Sequence, residues 1–202
     1  MKYFPLFAII LLCITGCNKH TTNQNPSLVH VFKGIAVVNT MGEIMGNWGT
    51  PDSDWETDVT WTSEEAALLN FPDTVSLAGT YIRDTTGWNT GTGIHEQPEN
   101  AILVFPNPVA GYATLYFKGL GMVKFKATIV DKYFNRLMTF AAKSGMGEIN
   151  LNLSDPAKFQ NGVIYRLYYT LSATDSLNFY KGHGDILICR EAVSNDCRQY
   201  VP

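Results

Sequence analysis

The chain has 202 residues, 46% of them hydrophobic and 16% charged, with a formal net charge of −3. This is the make-up of a globular protein with room for one generous domain or two small ones, and it excludes a disordered chain and a bundle of membrane helices. There is no run of Lys or Arg to bind nucleic acid, so that partner is excluded, while ten Tyr, eleven Phe, four Trp and many β-branched residues give the composition of sheets.

Residues 1–16 carry one basic residue at Lys2, run apolar from Phe4 to Ile14, and lead into Cys17. Such a stretch is a secretory leader, too short to remain as a spanning helix. Ile14-Thr15-Gly16-Cys17 resembles a bacterial lipobox, which implies cleavage before Cys17 and acylation of that residue. A diacylglyceryl group plus an amide-linked chain holds a protein on a membrane without any spanning segment. With Cys13 removed and Cys17 acylated, Cys189 and Cys197 are the remaining thiols of an exported, oxidising compartment, and they are expected to pair. The short loop they close is worth roughly 2.5 kcal/mol, enough to pin a tail.

Residues 17–27 are polar and lack apolar periodicity, so they read as a lipidated tether. Some Bacteroidetes lipoproteins resemble one another in an acidic cluster just after the acylated Cys that directs them to the cell surface. Asn18-Lys19-His20 lacks it, so the expected place is the cell envelope, anchored to the outer membrane and facing the periplasm.

Residues 28–100 read as a β-rich region with one short helix. The stretch 28–38 (LVHVFKGIAVV) is the first expected strand, apolar on both faces, with His30 as a core or rim residue. Residues 47–92 hold all four tryptophans, Trp48, Trp55, Trp61 and Trp88. Asp52, Asp54, Glu56 and Asp58 alternate with Ser53, Trp55, Thr57 and Val59, the period of a surface strand with carboxylates out and aromatics in. Oxygen ligands at every second position, Asp52, Asp54 and Glu56, are also the pattern of a loop that wraps Ca²⁺, although the glycine and terminal Glu of an EF-hand are missing. Thr62-Ser63-Glu64-Glu65 is a capping box opening a helix that Pro72 stops. Residues 73–82 alternate as another strand, and 83–100 form a Gly- and Thr-rich loop around Trp88. A Trp in such a loop either plugs its own domain or stands out as a platform for a sugar ring; Trp88 and Trp48 are the residues that would make a glycan site.

The remainder, 101–202, opens on Ile102-Leu103-Val104-Phe105-Pro106-Asn107-Pro108-Val109, where two prolines force the backbone to be extended or turning. Strand-like alternation follows over 112–117, 123–130, 136–142, 147–153, 163–171, 177–180 and 185–189. Gly119-Leu120-Gly121, Lys143-Ser144-Gly145, Ser154-Asp155-Pro156 and Gly182-His183-Gly184 separate these runs. The pattern predicts an antiparallel β-sandwich of seven or eight strands, with the disulfide pinning its tail. Phe105-Pro106-Asn107-Pro108-Val109, the turn Asp131 to Arg136 with Asn135 as the φ > 0 residue, and Ile149-Asn150-Leu151-Asn152-Leu153 followed by Gly162-Val163-Ile164-Tyr165 resemble the C-terminal sorting domains of Bacteroidetes type IX secretion. That resemblance implies the sandwich architecture. The chain departs from the family by continuing from Arg190 to Pro202, and a lipid anchor retains what a sorting signal would release, so the domain reads as a packing or interaction module.

No phosphate loop, zinc-protease motif, nucleophile elbow or metal-spaced Cys/His cluster is present, and His95-Glu96 and His183 near Asp185 read as loop residues. No catalytic residue and no enzyme activity are expected, and no cofactor beyond the Ca²⁺ pattern. Two functions follow: an envelope lipoprotein with a structural or protein-interaction role, and a carbohydrate-binding lipoprotein that uses its tryptophans. Envelope proteins or glycans are the expected partners, besides the membrane reached through the lipid.

Overall fold

The structure, a computed structural model, describes residues 29–57, 59–72, 82–84, 102–173, 179–190 and 196–202, with backbone alone at 82–84, 119–123, 144–146, 173, 179 and 196. It is mainly β. The strands are β1 (Gly34–Val38), β2 (Ile44–Gly49), β3 (Ile82–Asp84), β4 (Ile102–Phe105), β5 (Tyr112–Val130), β6 (Arg136–Asn152), β7 (Ile164–Ala173) and β8 (Phe179–Leu187). A short helix α1 (Ser63–Ala67) follows β2, and a 3-10 turn at Asp196–Tyr200 ends the chain. β1 and β2 form an antiparallel hairpin; the other strands form an antiparallel sheet in the order β3-β6-β5-β7-β8, with β4 also paired to β5.

That sheet folds over on itself. Phe117 and Phe125 of β5 stack with ring centres 4.4 Å apart and planes within 3°. On a straight strand the same two residues would lie about 26 Å apart. β5 must therefore turn a corner between them, where its register with β6 shifts between Lys118 and Val123. The halves of β5 and β6 on one side of the corner pair with β4 and β3; those on the other pair with each other and, through β5, with β7 and β8. The short strands expected over 112–153 are thus halves of two long ones, and the glycine-containing separators fall at the bend. Leu115, Phe117, Ile149 and Leu151 from one layer and Phe125, Ile129, Leu167 and Leu171 from the other fill the space between, as sandwich packing requires. Ala36, Val38 and Trp55 belong to that same core.

The outward face of β7 and β8 carries polar residues, Arg166 and Tyr168 on one strand and His183 and Asp185 on the other, and it is covered as well. Phe32 lies beneath the Arg166 guanidinium at 5.8 Å, Trp61 meets Tyr168 edge-on at 5.7 Å, and Leu68 packs with Val130 and Tyr168. The described residues between 29 and 72 therefore contribute a partial third layer. Its helix is the expected one, with Thr62 accepting from the Glu65 amide while the Glu65 side chain accepts from the Thr62 amide.

Three expectations need correction. The strand foreseen over 28–38 starts at Gly34, and Val29 and Val31 before it are exposed. The alternating stretch from Asp52 is bent, because Ser53 and Trp55 adopt φ of 53° and 65°, which ends any period of two. Gly182-His183-Gly184 lies inside β8 instead of turning. A Cβ at Gly182 would strike the Glu56 carbonyl and one at Gly184 the Trp55 indole, so these glycines let another segment lie against the strand. That segment bonds along β8 through Trp55 N–H to the His183 carbonyl at 2.7 Å and Val59 N–H to the Lys181 carbonyl at 3.1 Å.

Candidate functional site

The Phe-Pro-Asn-Pro-Val motif forms the central joint of the fold. Asn107 is fully buried, and its side-chain amide donates to the Ala36 carbonyl at 2.7 Å and the Asp185 carbonyl at 2.9 Å. Its Oδ1 accepts the Leu187 N–H at 3.1 Å, and its own N–H and carbonyl pair with Val38. Both amide protons are spent on two different chain segments, so only Asn satisfies this position without leaving an orphan. Val109 then bonds alongside β8 through the Leu187 carbonyl and the Cys189 N–H.

Beside this joint lies a buried ionic cluster. Arg166 grips Asp185 with two hydrogen bonds, Nε to Oδ1 at 2.6 Å and Nη2 to Oδ2 at 2.8 Å, with both side chains at most 2% exposed. Asp54, its side chain also 2% exposed, accepts the Asp185 N–H at 3.2 Å and the Ala36 N–H at 3.1 Å, tying β1 to β8. His183 stands with Nδ1 4.0 Å from Asp54, beyond hydrogen-bond reach. Tyr168 donates to Glu65 of α1 at 2.7 Å.

One guanidinium thus faces two buried carboxyls. Burial first, and then the neighbouring Asp185 charge, push Asp54 up to about 8. Burial raises Asp185 as well, against the pull of Arg166, whose two-point grip makes Asp185 the carboxyl that ionises first. His183 and His30 are each pushed down to about 4 by burial and then by the Arg166 charge, so both are neutral near pH 7. An acid holding a proton beside a neutral imidazole is a combination that catalysis uses. Here Asp54 is occupied by two backbone amides, and the Arg166–Asp185 pair is buried, so the cluster acts as an internal brace.

The residues singled out in the sequence fall in several places. Asp52, Asp54 and Glu56 do not converge: Asp52 and Glu56 are exposed while Asp54 turns inward, and among the described residues there is no group of three His, Cys, Asp or Glu placed to hold a metal. The positive φ of Ser53 and Trp55 replaces the extended backbone that the alternation of these carboxyls implied. Trp48 packs with Ile35, Leu187, Tyr200 and Val201 around the Cys189–Cys197 disulfide, whose Cα atoms lie 5.8 Å apart. Trp55 is buried, at 3% exposure, and Trp61 partly so. Cys17, Trp88 and His95 lie outside the described residues. His183, read as a loop residue, is buried within β8. Sequence reasoning placed Asn107 in the opening motif and Asp185 beside a loop His183, but missed Arg166 and the Arg166–Asp185 pair; the available signal was a charged residue inside each of two apolar strands, Ile164-Tyr165-Arg166-Leu167 and Asp185-Ile186-Leu187.

A groove opens at the end of the sandwich where the β5–β6 turn faces the loop between β6 and β7. It has a volume of about 490 Å³ and is lined by Asp131, Lys132, Tyr133, Leu137, Ala157, Lys158, Gln160, Val163 and Tyr165. Both walls are fixed by aspartates: Asp131 accepts from the Tyr133 and Asn135 amides and the Asn135 side chain, and Asp155 from the Ala157 amide. The positive φ of this turn falls on Phe134 (62°) and not on Asn135, whose side chain is occupied with Asp131. Phe134 is held there by packing against Tyr168 and His30. No protein-family model matches the chain, and no curated protein matches it.

Proposed function

We propose that the protein is an exported lipoprotein, held on the periplasmic face of the outer membrane through Cys17, and that its β-sandwich serves as a protein-interaction module. The observation that carries this reading is the leader of residues 1–16 running into the lipobox-like Ile14-Thr15-Gly16-Cys17. The Cys189–Cys197 disulfide supports it, being at home in an exported compartment. So does the buried ionic cluster, whose hydrogen-bonding groups are largely spent on holding segments together. The groove at the sandwich end supplies a pre-shaped place to bind. The test is metabolic labelling with a radioactive fatty acid in the wild type and Cys17→Ala. The wild type is expected to carry label and fractionate with membranes while the variant carries none and becomes soluble; equal label in both overturns the reading.

A further inference from the structure

The groove between the β5–β6 turn and the 155–163 loop has a chemistry of its own. At about 490 Å³ it falls within the roughly 300–1,000 Å³ of ligand sites. Leu137, Val163 and Tyr165 give it an apolar floor, and Lys132 and Lys158 stand on its rim, both exposed and neither in an ion pair among the described residues. Tyr165 is 3% exposed, and its hydroxyl oxygen accepts the Gln160 N–H at 2.8 Å. The carboxylate in the lining, Asp131, is committed to its own turn. The groove therefore offers two lysine ammoniums over an apolar floor, and the side-chain acceptors its lining leaves free are the neutral ones of Gln160 and Tyr133.

That balance separates ligand classes. A sugar ring presents hydroxyls that need acceptors as well as donors, and it stacks on an open aromatic face. Tyr133 is 51% exposed, but the Lys132 ammonium lies 5.1 Å over its ring. A carboxylate beside an apolar side chain needs only donors, cations and an apolar floor. Exposed apolar surface also lies next to the same turn. The His30 N–H donates to the Lys132 carbonyl at 2.8 Å, and Val29 and Val31 on either side of it are 47% and 70% exposed.

We infer that this groove is a docking site for an acidic peptide segment of a partner protein, one that places a carboxylate at Lys132 and Lys158 and an apolar side chain on Leu137, Val163 and Tyr165. The inference rests on the interaction-module reading and names the site and partner chemistry for it. Both walls are preformed by their aspartate-anchored turns, so docking orders little of the protein.

The test uses the mature chain, purified in mild detergent, as bait for a random peptide library displayed on phage, followed by titration of the enriched peptides. The expected result is enrichment of peptides with Asp or Glu next to an apolar residue, weakened about tenfold or more by the double variant Lys132→Glu with Lys158→Glu, and weakened by salt in the wild type. Both lysines are exposed, so the double variant should keep the wild-type melting temperature; the neutral pair Lys132→Gln with Lys158→Gln repeats the test if it does not. No enrichment, enrichment of neutral or basic peptides, or binding that both double variants leave intact overturns the inference. So does preferential binding of acidic oligogalacturonates over every selected peptide. The titration does not depend on the anchor: a chain that lacks lipid yet binds acidic peptides overturns the anchoring alone, and a lipidated chain that enriches nothing overturns the groove alone.

Discussion

At the scale of single residues, the decisive groups are polar ones placed where apolar residues would be expected. Asn107 satisfies two carbonyls and an amide from β1 and β8, all buried. Removing one side of such bonds strands the other, at about 1–3 kcal/mol for each buried group. Asn107→Ala is therefore expected to lose on the order of 3 kcal/mol by urea denaturation, and Asn107→Asp to lose more at neutral pH, because it aims a carboxylate at the Ala36 and Asp185 carbonyls. An Asn107→Ala variant as stable as wild type would remove the motif from its central role. The ionic cluster gives stability a pH dependence whose sign can be worked out. A carboxyl raised in the folded state to about 8, as Asp54 is, binds a proton that the unfolded chain has already released. Stability from this group is complete below the unfolded pKa and is lost as pH rises through the folded one. Between pH 6.5 and 8 His30 and His183, lowered to about 4, are neutral in the folded chain but still partly protonated in the unfolded one. This opposes the Asp54 trend by about 0.4 kcal/mol for each histidine, so it is the difference between wild type and Asp54→Asn that reports Asp54. The Asp54 contribution to the unfolding free energy should fall by about 1–2 kcal/mol across the window, and Asp54→Asn should remove that fall. Equal slopes in the two proteins would show that Asp54 is already ionised at pH 6.5.

At the scale of elements, local chemistry was legible and long-range contact was not. The capping box at Thr62 and Glu65 needs only four consecutive residues, and it forms as read. Alternation along 112–117, 123–130 and 163–171 marks which side chains face the core, because a pleated strand has a period of two whatever it pairs with. What alternation cannot reveal is whether two runs separated by glycines are joined by a turn or by a bend in one strand. That depends on the partner, and β6 follows β5 around the corner. Gly182 and Gly184 were open to the same ambiguity. Their role is to admit Glu56 and Trp55, more than a hundred positions earlier in the chain, and nothing near β8 in sequence records that visitor. Asp52, Asp54 and Glu56 lose their alternation for a related reason: the bends at Ser53 and Trp55 fit this segment against β8, and they override its own periodicity. The groove was invisible in the sequence because its walls are two turns brought together by the sandwich.

At the scale of the whole molecule, the described chain before residue 72 and the sandwich after residue 101 depend on one another. Ile35, Val38, Trp55, Leu68 and Leu69 are all buried. Burying such side chains is worth about 1.5–3 kcal/mol each, on the order of 10 kcal/mol together, against a whole-protein margin of about 5–15 kcal/mol. Removing the early segment would also strip Asn107 of its bonds to Ala36 and Val38, open the Arg166–Asp185 pair to water, and empty the space above Gly184 that Trp55 fills. A chain beginning at residue 101 is accordingly expected to be molten or aggregated, with strong binding of a hydrophobic dye and no cooperative thermal transition, while 17–202 unfolds cooperatively. This prediction bears on the likeness to sorting domains, since a module that directs varied cargo has to fold whatever precedes it. A fragment 101–202 with dispersed amide resonances and a sharp transition would show that the sandwich is self-sufficient, and an independent sorting role would regain its footing. A collapsed fragment would mean that the early segment is a structural part of the sandwich, and the proposed lipid anchor and groove would then be the candidates for contact with its surroundings.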